Sequence, residues 1–189
     1  KHALVVSHPE TEIGATFPEM GVEAEILAAQ SRGHGRFAFV FRGIDRRRLG
    51  MITTGPVPYA SPLATVELGA SDPSVPDLVR EIRSGTSRLE ELGTPLSEGI
   101  VQAIAAPAEP AVVADLVGAH LNLPYTDKVA LLTELDVRVR LERAFTALSV
   151  QVATNERATQ GDPKLREKIL RERLHAIEEE LGEQPGGDP

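Results

Sequence analysis

The chain has 189 residues, and 20 Lys and Arg against 28 Asp and Glu give it a formal charge of −8. Its 41% hydrophobic and 25% charged fractions are ordinary for a folded domain and exclude wholesale disorder, while the absence of Cys excludes disulfide scaffolds, thiolate catalysis, Cys-type zinc sites and iron–sulfur clusters. No apolar run approaches the roughly 18–20 residues that cross a bilayer and no signal-peptide core follows Lys1, which predicts a cytoplasmic protein without a membrane partner.

Residues 1–72 read as strands and turns. Ala3-Leu4-Val5-Val6-Ser7 is a short apolar run stopped by Pro9, and Thr11 to Met20 has no periodicity. Val22, Ala24, Ile26 and Ala28 recur at the period of a half-buried strand. Ser31-Arg32-Gly33-His34-Gly35 supplies a turn, and Phe37, Phe39 and Phe41 share one face of the returning strand. Strand patterns continue from Ile44 to Thr53 and from Ala60 to Leu68, across a connection stiffened by Pro56 and Pro58. An antiparallel sheet or partial barrel is predicted.

Residues 73–160 change to a helical period. Pro76 suits a first turn, with Val75, Leu78, Val79 and Ile82 on one face. Leu96 to Ile104 is a weaker helix, and Pro110 opens another that carries Val112, Val113, Leu116, Val117 and Leu121. A fourth, long helix is predicted from Thr126-Asp127 through Leu148, capped at its start and covered by a broad apolar stripe. Short connections make these an antiparallel bundle. In residues 161–189, Leu170, Leu174, Ile177 and Leu181 step as a heptad seam, Gly182 is the expected stop, and the tail reads as a linker. Basic residues lie near the start of this helix and Glu178-Glu179-Glu180 near its end, against the helix dipole, so a partner or more chain is expected to support it. The fold class is α+β.

Chemistry is sparse. There is no phosphate-loop or nucleophile-elbow motif, and His2, His8, His34, His120 and His175 have no metal-ligand spacing on a helix. Consecutive positions such as Glu178 to Glu180 point apart on a helix and read as a solvated face. Arg42 with Arg46-Arg47-Arg48 is a local basic patch, either an anion contact or a charged strand edge that resists aggregation.

Several segments, in order, resemble the N-terminal substrate-binding region of the ATP-dependent Lon proteases. They are Leu4 to Ser7, Gly21 to Ile26, Phe39 to Arg46, Tyr59 to Leu68, Glu109 through Lys128, Asp136 with Arg140-Leu141-Glu142, and Leu170 to Glu183, the last being the most specific. The family's opening strands are missing, and so are its ATPase and Ser–Lys protease modules. The resemblance implies a PUA-like partial barrel, a helical bundle and the start of a long, coiled-coil-like helix. It implies a non-catalytic role for this region, with no cofactor of its own; ATP and Mg belong to the absent ATPase module.

That role would be capture of unfolded or tagged protein substrates, within a homohexameric ATP-dependent endopeptidase of protein quality control. Promiscuous capture wants exposed apolar side chains and free strand edges. The substrate-contact candidates are Met20, Met51 and Tyr59, next to turns of the β lobe, and the association seam is Leu170, Leu174, Ile177 and Leu181. The alternative is a stand-alone Lon-type domain acting as an adaptor or ligand-binding module. An RNA-binding PUA-like role is disfavoured by the −8 charge and the 4% aromatic content.

Overall fold

A computed structural model describes residues 2–5, 19–34, 36–53 and 59–161, together with helical positions 167, 168, 170, 171 and 174. The architecture is α+β. The first part is a four-stranded antiparallel sheet in the order β1 (His2–Val5), β2 (Met20–Gly33), β3 (Arg36–Thr53) and β4 (Tyr59–Leu63). The alternation at Val22, Ala24 and Ile26 does form a strand, and the turn uses left-handed backbone at Gly33 (φ 79°) and His34 (φ 49°).

Strand β3 stays unbroken for 18 residues because Ile44 is absorbed as a bulge: Glu23 pairs with Asp45, and Ala24 with Gly43. It changes partner at Arg48, which pairs with Met20 on β2 and with Leu63 on β4. Strand β4 ends at Leu63, short of the expected Leu68, because the chain then leaves the edge of β3. There the Thr65 hydroxyl donates to the Arg46 carbonyl at 2.9 Å. Leu68 instead bridges to Asp136, with its N–H 2.9 Å from the Leu135 carbonyl.

The long helix predicted over 126–148 is two helices, α4 (Tyr125–Thr133) and α5 (Val137–Gly161). The break has a local cause. The Thr133 hydroxyl donates back to the Val129 carbonyl at 3.0 Å, and the Asp136 carboxylate accepts the Val139 N–H at 3.1 Å, an N-cap that starts a new helix. Gly69, at φ 73°, lies so close to that carboxylate that no Cβ would fit. Residues 1–72 and 122–140 form one unit, so α4 and the first turn of α5 pack with the sheet and not in the helical bundle. Arg140 is fully buried in this unit. Its Nη2 donates to Glu67 at 2.6 Å and its Nη1 to the Glu134 carbonyl at 3.2 Å. Glu67 also accepts from Arg46 at 3.2 Å.

The second unit holds α1 (Val75–Glu91), α2 (Glu98–Ala105), α3 (Pro110–His120) and α5 from Leu141 onward. Helix α1 buries Val75, Val79, Ile82, Thr86 and Leu89 at helical spacing and closes with Gly93 at φ 77°. Ile100 and Ile104 of α2, Val113 and Val117 of α3, and Leu141, Ala144 and Leu148 of α5 are also buried. The Arg83 guanidinium caps α2, donating to the Ile104 and Ala106 carbonyls at 2.7 and 2.8 Å. At Gly85 a Cβ would sit 2.8 Å from Leu148 Cδ2, so a glycine lets α1 and α5 approach there.

An apolar ladder on the β hairpin

On β2, residues 20, 22, 24 and 26 share a face, and the first part of that face is core: Met20 and Ala24 are buried, Val22 and Ile26 half-buried. Helix α4, whose Leu131 is buried, packs against β2. Ile26 pairs with Phe41, so the same face continues on β3 through Phe41, Phe39 and Phe37. There the cover ends. These rings are 41%, 47% and 60% exposed, and they lie against one another with centroids 5.6 Å (Phe39–Phe41) and 6.2 Å (Phe37–Phe39) apart. Leu27, bulged out of register between Ile26 and Ala28, and Val40 on the opposite face are also exposed.

Backbone pairing makes this region unusual as well. Strand β1 reaches only Glu25 and β4 only Arg48. Among the described residues, the outer edges of Ile26–Gly33 and Arg36–Gly43 therefore have no strand partner. A two-stranded ribbon of this kind is marginal alone, and free edges and uncovered rings are what an incoming extended chain needs.

Charges at the base of the ribbon are largely paired internally. Arg42 donates to Glu25, and Arg47 bridges Glu23 at 2.7 Å and Asp45 at 3.2 Å. The hydrogen bond that Arg47 donates to the Glu23 carboxylate holds its guanidinium above its ordinary pKa. The Arg46 Nε donates to the Leu132 carbonyl at 3.1 Å. Of the basic patch in the sequence, Arg42 and Arg47 thus tie β3 to β2, and Arg46 ties the sheet to α4 and to Glu67.

The substrate-contact candidates named from the sequence lie at the other end of the sheet from the hairpin turn. Met20 is 2% exposed, a core residue and not an open contact, on the strand that packs with α4. Met51 on β3 is 79% exposed, and Tyr59 pairs through its backbone with Thr53. In the C-terminal segment Leu170 and Leu174 are 56% and 58% exposed, while Ile177 and Leu181 lie outside the described residues. The phenylalanine ladder was the feature sequence reasoning passed over as a site. Its signal was present: Ala38 and Val40 between the rings leave no polar face, so one side at least had to be exposed or covered by something else. Among the described residues no group of three or more His, Asp or Glu could hold a metal ion.

Residues 4–150 match the model of the "ATP-dependent protease La (LON) substrate-binding domain" family. The chain belongs to that family. Its similarity to the Lon protease of Roseiflexus castenholzii is 29% identity over 168 residues, covering 86% of this chain and 21% of that protein. With the Lon protease of Phenylobacterium zucineum it shares 37% over 93 residues, 44% of this chain and 12% of the relative. The chain thus spans about a fifth of the length of the Roseiflexus relative. The N-terminal domain of a Mycobacterium avium complex Lon protease has the same fold, with a TM-score of 0.63, 24% identity and coverage of 78% and 77% of the two chains. No helix of this Lon-family domain, among the described residues, is long and apolar enough to cross a membrane.

Proposed function

We propose that the chain is the non-catalytic, substrate-capturing region of a cytoplasmic, ATP-dependent Lon-type serine protease, and that the hairpin ladder is its main contact with unfolded protein. The observation that carries this reading is the run of Phe37, Phe39 and Phe41, which extends a core face into solvent beside unpaired strand edges. Exposed rings bind apolar side chains, and edges bind backbone, so together they recognise the unfolded state. Met51 and Tyr59 form a second contact at the far end of the sheet, with Met as the adaptable side chain. Substrate held there is handed to ATPase and Ser–Lys protease modules elsewhere in a homohexameric parent, which carry the ATP, the Mg and the bond cleavage. Leu170, Leu174, Ile177 and Leu181 are the seam through which copies associate; the exposure of Leu170 and Leu174 supports this.

The test is a titration of the whole chain into a labelled protein kept unfolded by reduction and alkylation, read by fluorescence anisotropy. Replacing Phe37, Phe39 and Phe41 together by Ser is expected to weaken binding by at least about tenfold, as for loss of a central aromatic cluster. Unchanged affinity with an unchanged circular dichroism spectrum would remove the ladder from the binding site.

A further inference from the structure

The ladder does not stand in a neutral setting. From Ile26 to Phe41 the ribbon carries Arg32, His34 and Arg36 and no Asp or Glu, inside a chain whose formal charge is −8. Arg32 and Arg36 are exposed, and neither makes an ion pair with another described residue. The acidic partners begin only at the base, where Glu25 takes Arg42 and Glu23 takes Arg47. The end of the ribbon is thus apolar and cationic, and its charge is open to a ligand.

Resting on the capture reading above, we infer that the ribbon selects among unfolded segments: it takes extended stretches that are apolar at alternate positions and flanked by Asp or Glu, and disfavours stretches flanked by Lys or Arg. The segment adds as a strand along the free edge of β3 at Arg36–Gly43. That edge is favoured over β2 because the rings stand on β3, so alternate side chains of the added strand come directly beside Phe37, Phe39 and Phe41. Acidic side chains near the turn then meet Arg36 and Arg32. Two other occupants fit less well. A second copy adding antiparallel along this edge would set the Arg36 end of each ribbon beside the Arg42–Gly43 end of the other and would offer Arg32 and Arg36 no acid from Ile26 to Phe41, which carries none. Single-stranded nucleic acid would need open ring faces for its bases, but Phe39 and Phe41 are stacked on each other at 5.6 Å with an interplanar angle of 24°.

The experiment compares two peptides of about ten residues, a common strand length, with the same alternating Leu, Phe and Val core, one flanked by Asp and the other by Lys. Each is titrated with the full chain by anisotropy, at low ionic strength and at about 1 M salt, where the Debye length is about 3 Å. The acidic peptide is expected to bind about tenfold more tightly at low salt, the effect of two exposed charge pairs, and the difference is expected to vanish at high salt. The double substitution R32E/R36E should reverse the preference; should that variant not fold, the salt dependence of the unaltered chain decides. Equal binding of both peptides, with the unfolded protein still captured through the ladder, overturns the charge selection and leaves the capture reading standing. Failure of both peptides and of the unfolded protein to bind overturns both. A single-stranded oligonucleotide that displaces the acidic peptide, or a dimer that dissociates on Phe39→Ser and blocks the peptide, also overturns the inference.

Discussion

The β hairpin and the helical unit use the same raw material, apolar side chains at regular spacing, to opposite ends. In α1, α3 and α5 the apolar stripes are covered: Ile82 and Leu89 of α1, Val113 and Val117 of α3, and Leu141 and Leu148 of α5 are all buried. On the hairpin, Phe37, Phe39 and Phe41 line up as regularly but meet solvent. Periodicity tells which residues share a face; it does not tell whether anything covers that face. A helix has one apolar stripe and folds only if that stripe is buried, whereas a strand held by its neighbours' hydrogen bonds can carry an apolar face beyond the point where the cover stops.

The contrast is open to direct attack. Leu148→Ala removes a buried side chain that packs over Gly85, and it is expected to cost about 3 kcal/mol in denaturant unfolding, within the usual range for a leucine truncated in a core. A cost below about 1 kcal/mol would mean that the helical unit is looser than its burial indicates. Next in size, Gly85→Ala should destabilise the parent chain, where its Cβ would press on Leu148. In the Leu148→Ala background the space is open, and the same change should stabilise by up to about 1 kcal/mol through helix propensity. An identical effect in both backgrounds would remove close packing as the reason for the glycine. Smallest is Phe39→Ser, expected to change stability by less than about 1 kcal/mol although it removes a whole aromatic ring, because that ring is half exposed. A loss above about 2 kcal/mol would show that the ladder is part of a core after all.

Much of the fold could be read from the residues. The alternation at Val22, Ala24 and Ile26 gave a strand, and Gly33 supplied the turn. Pro76 and Pro110 lie in the first turns of α1 and α3, where their missing N–H groups cost nothing. In the predicted fourth helix a local polar group is stronger than the pattern. The apolar stripe runs through Glu134 to Asp136 without a break in phase, yet the Asp136 carboxylate caps Val139 and starts a helix there. For Arg42, Arg46 and Arg47 the sequence leaves an anion contact and a charged strand edge both open, because their acidic partners come from β2, from Asp45 within β3 and from Glu67, positions that pairing and the return of the chain bring near.

The candidate site was half legible. The spacing of Phe37, Phe39 and Phe41 places them on one face, but it does not show that this face is open while Met20 is buried.

By itself the sequence determined the α+β class, the strand and helix faces, and the resemblance to the Lon substrate-binding domain, because these depend on spacing along the chain and on short motifs. Tertiary structure alone decided which faces are covered. Whether Met20 or Phe39 meets water depends on where α4 lies on the sheet and how far β1 and β4 run along its edges, and those are contacts between residues far apart in sequence.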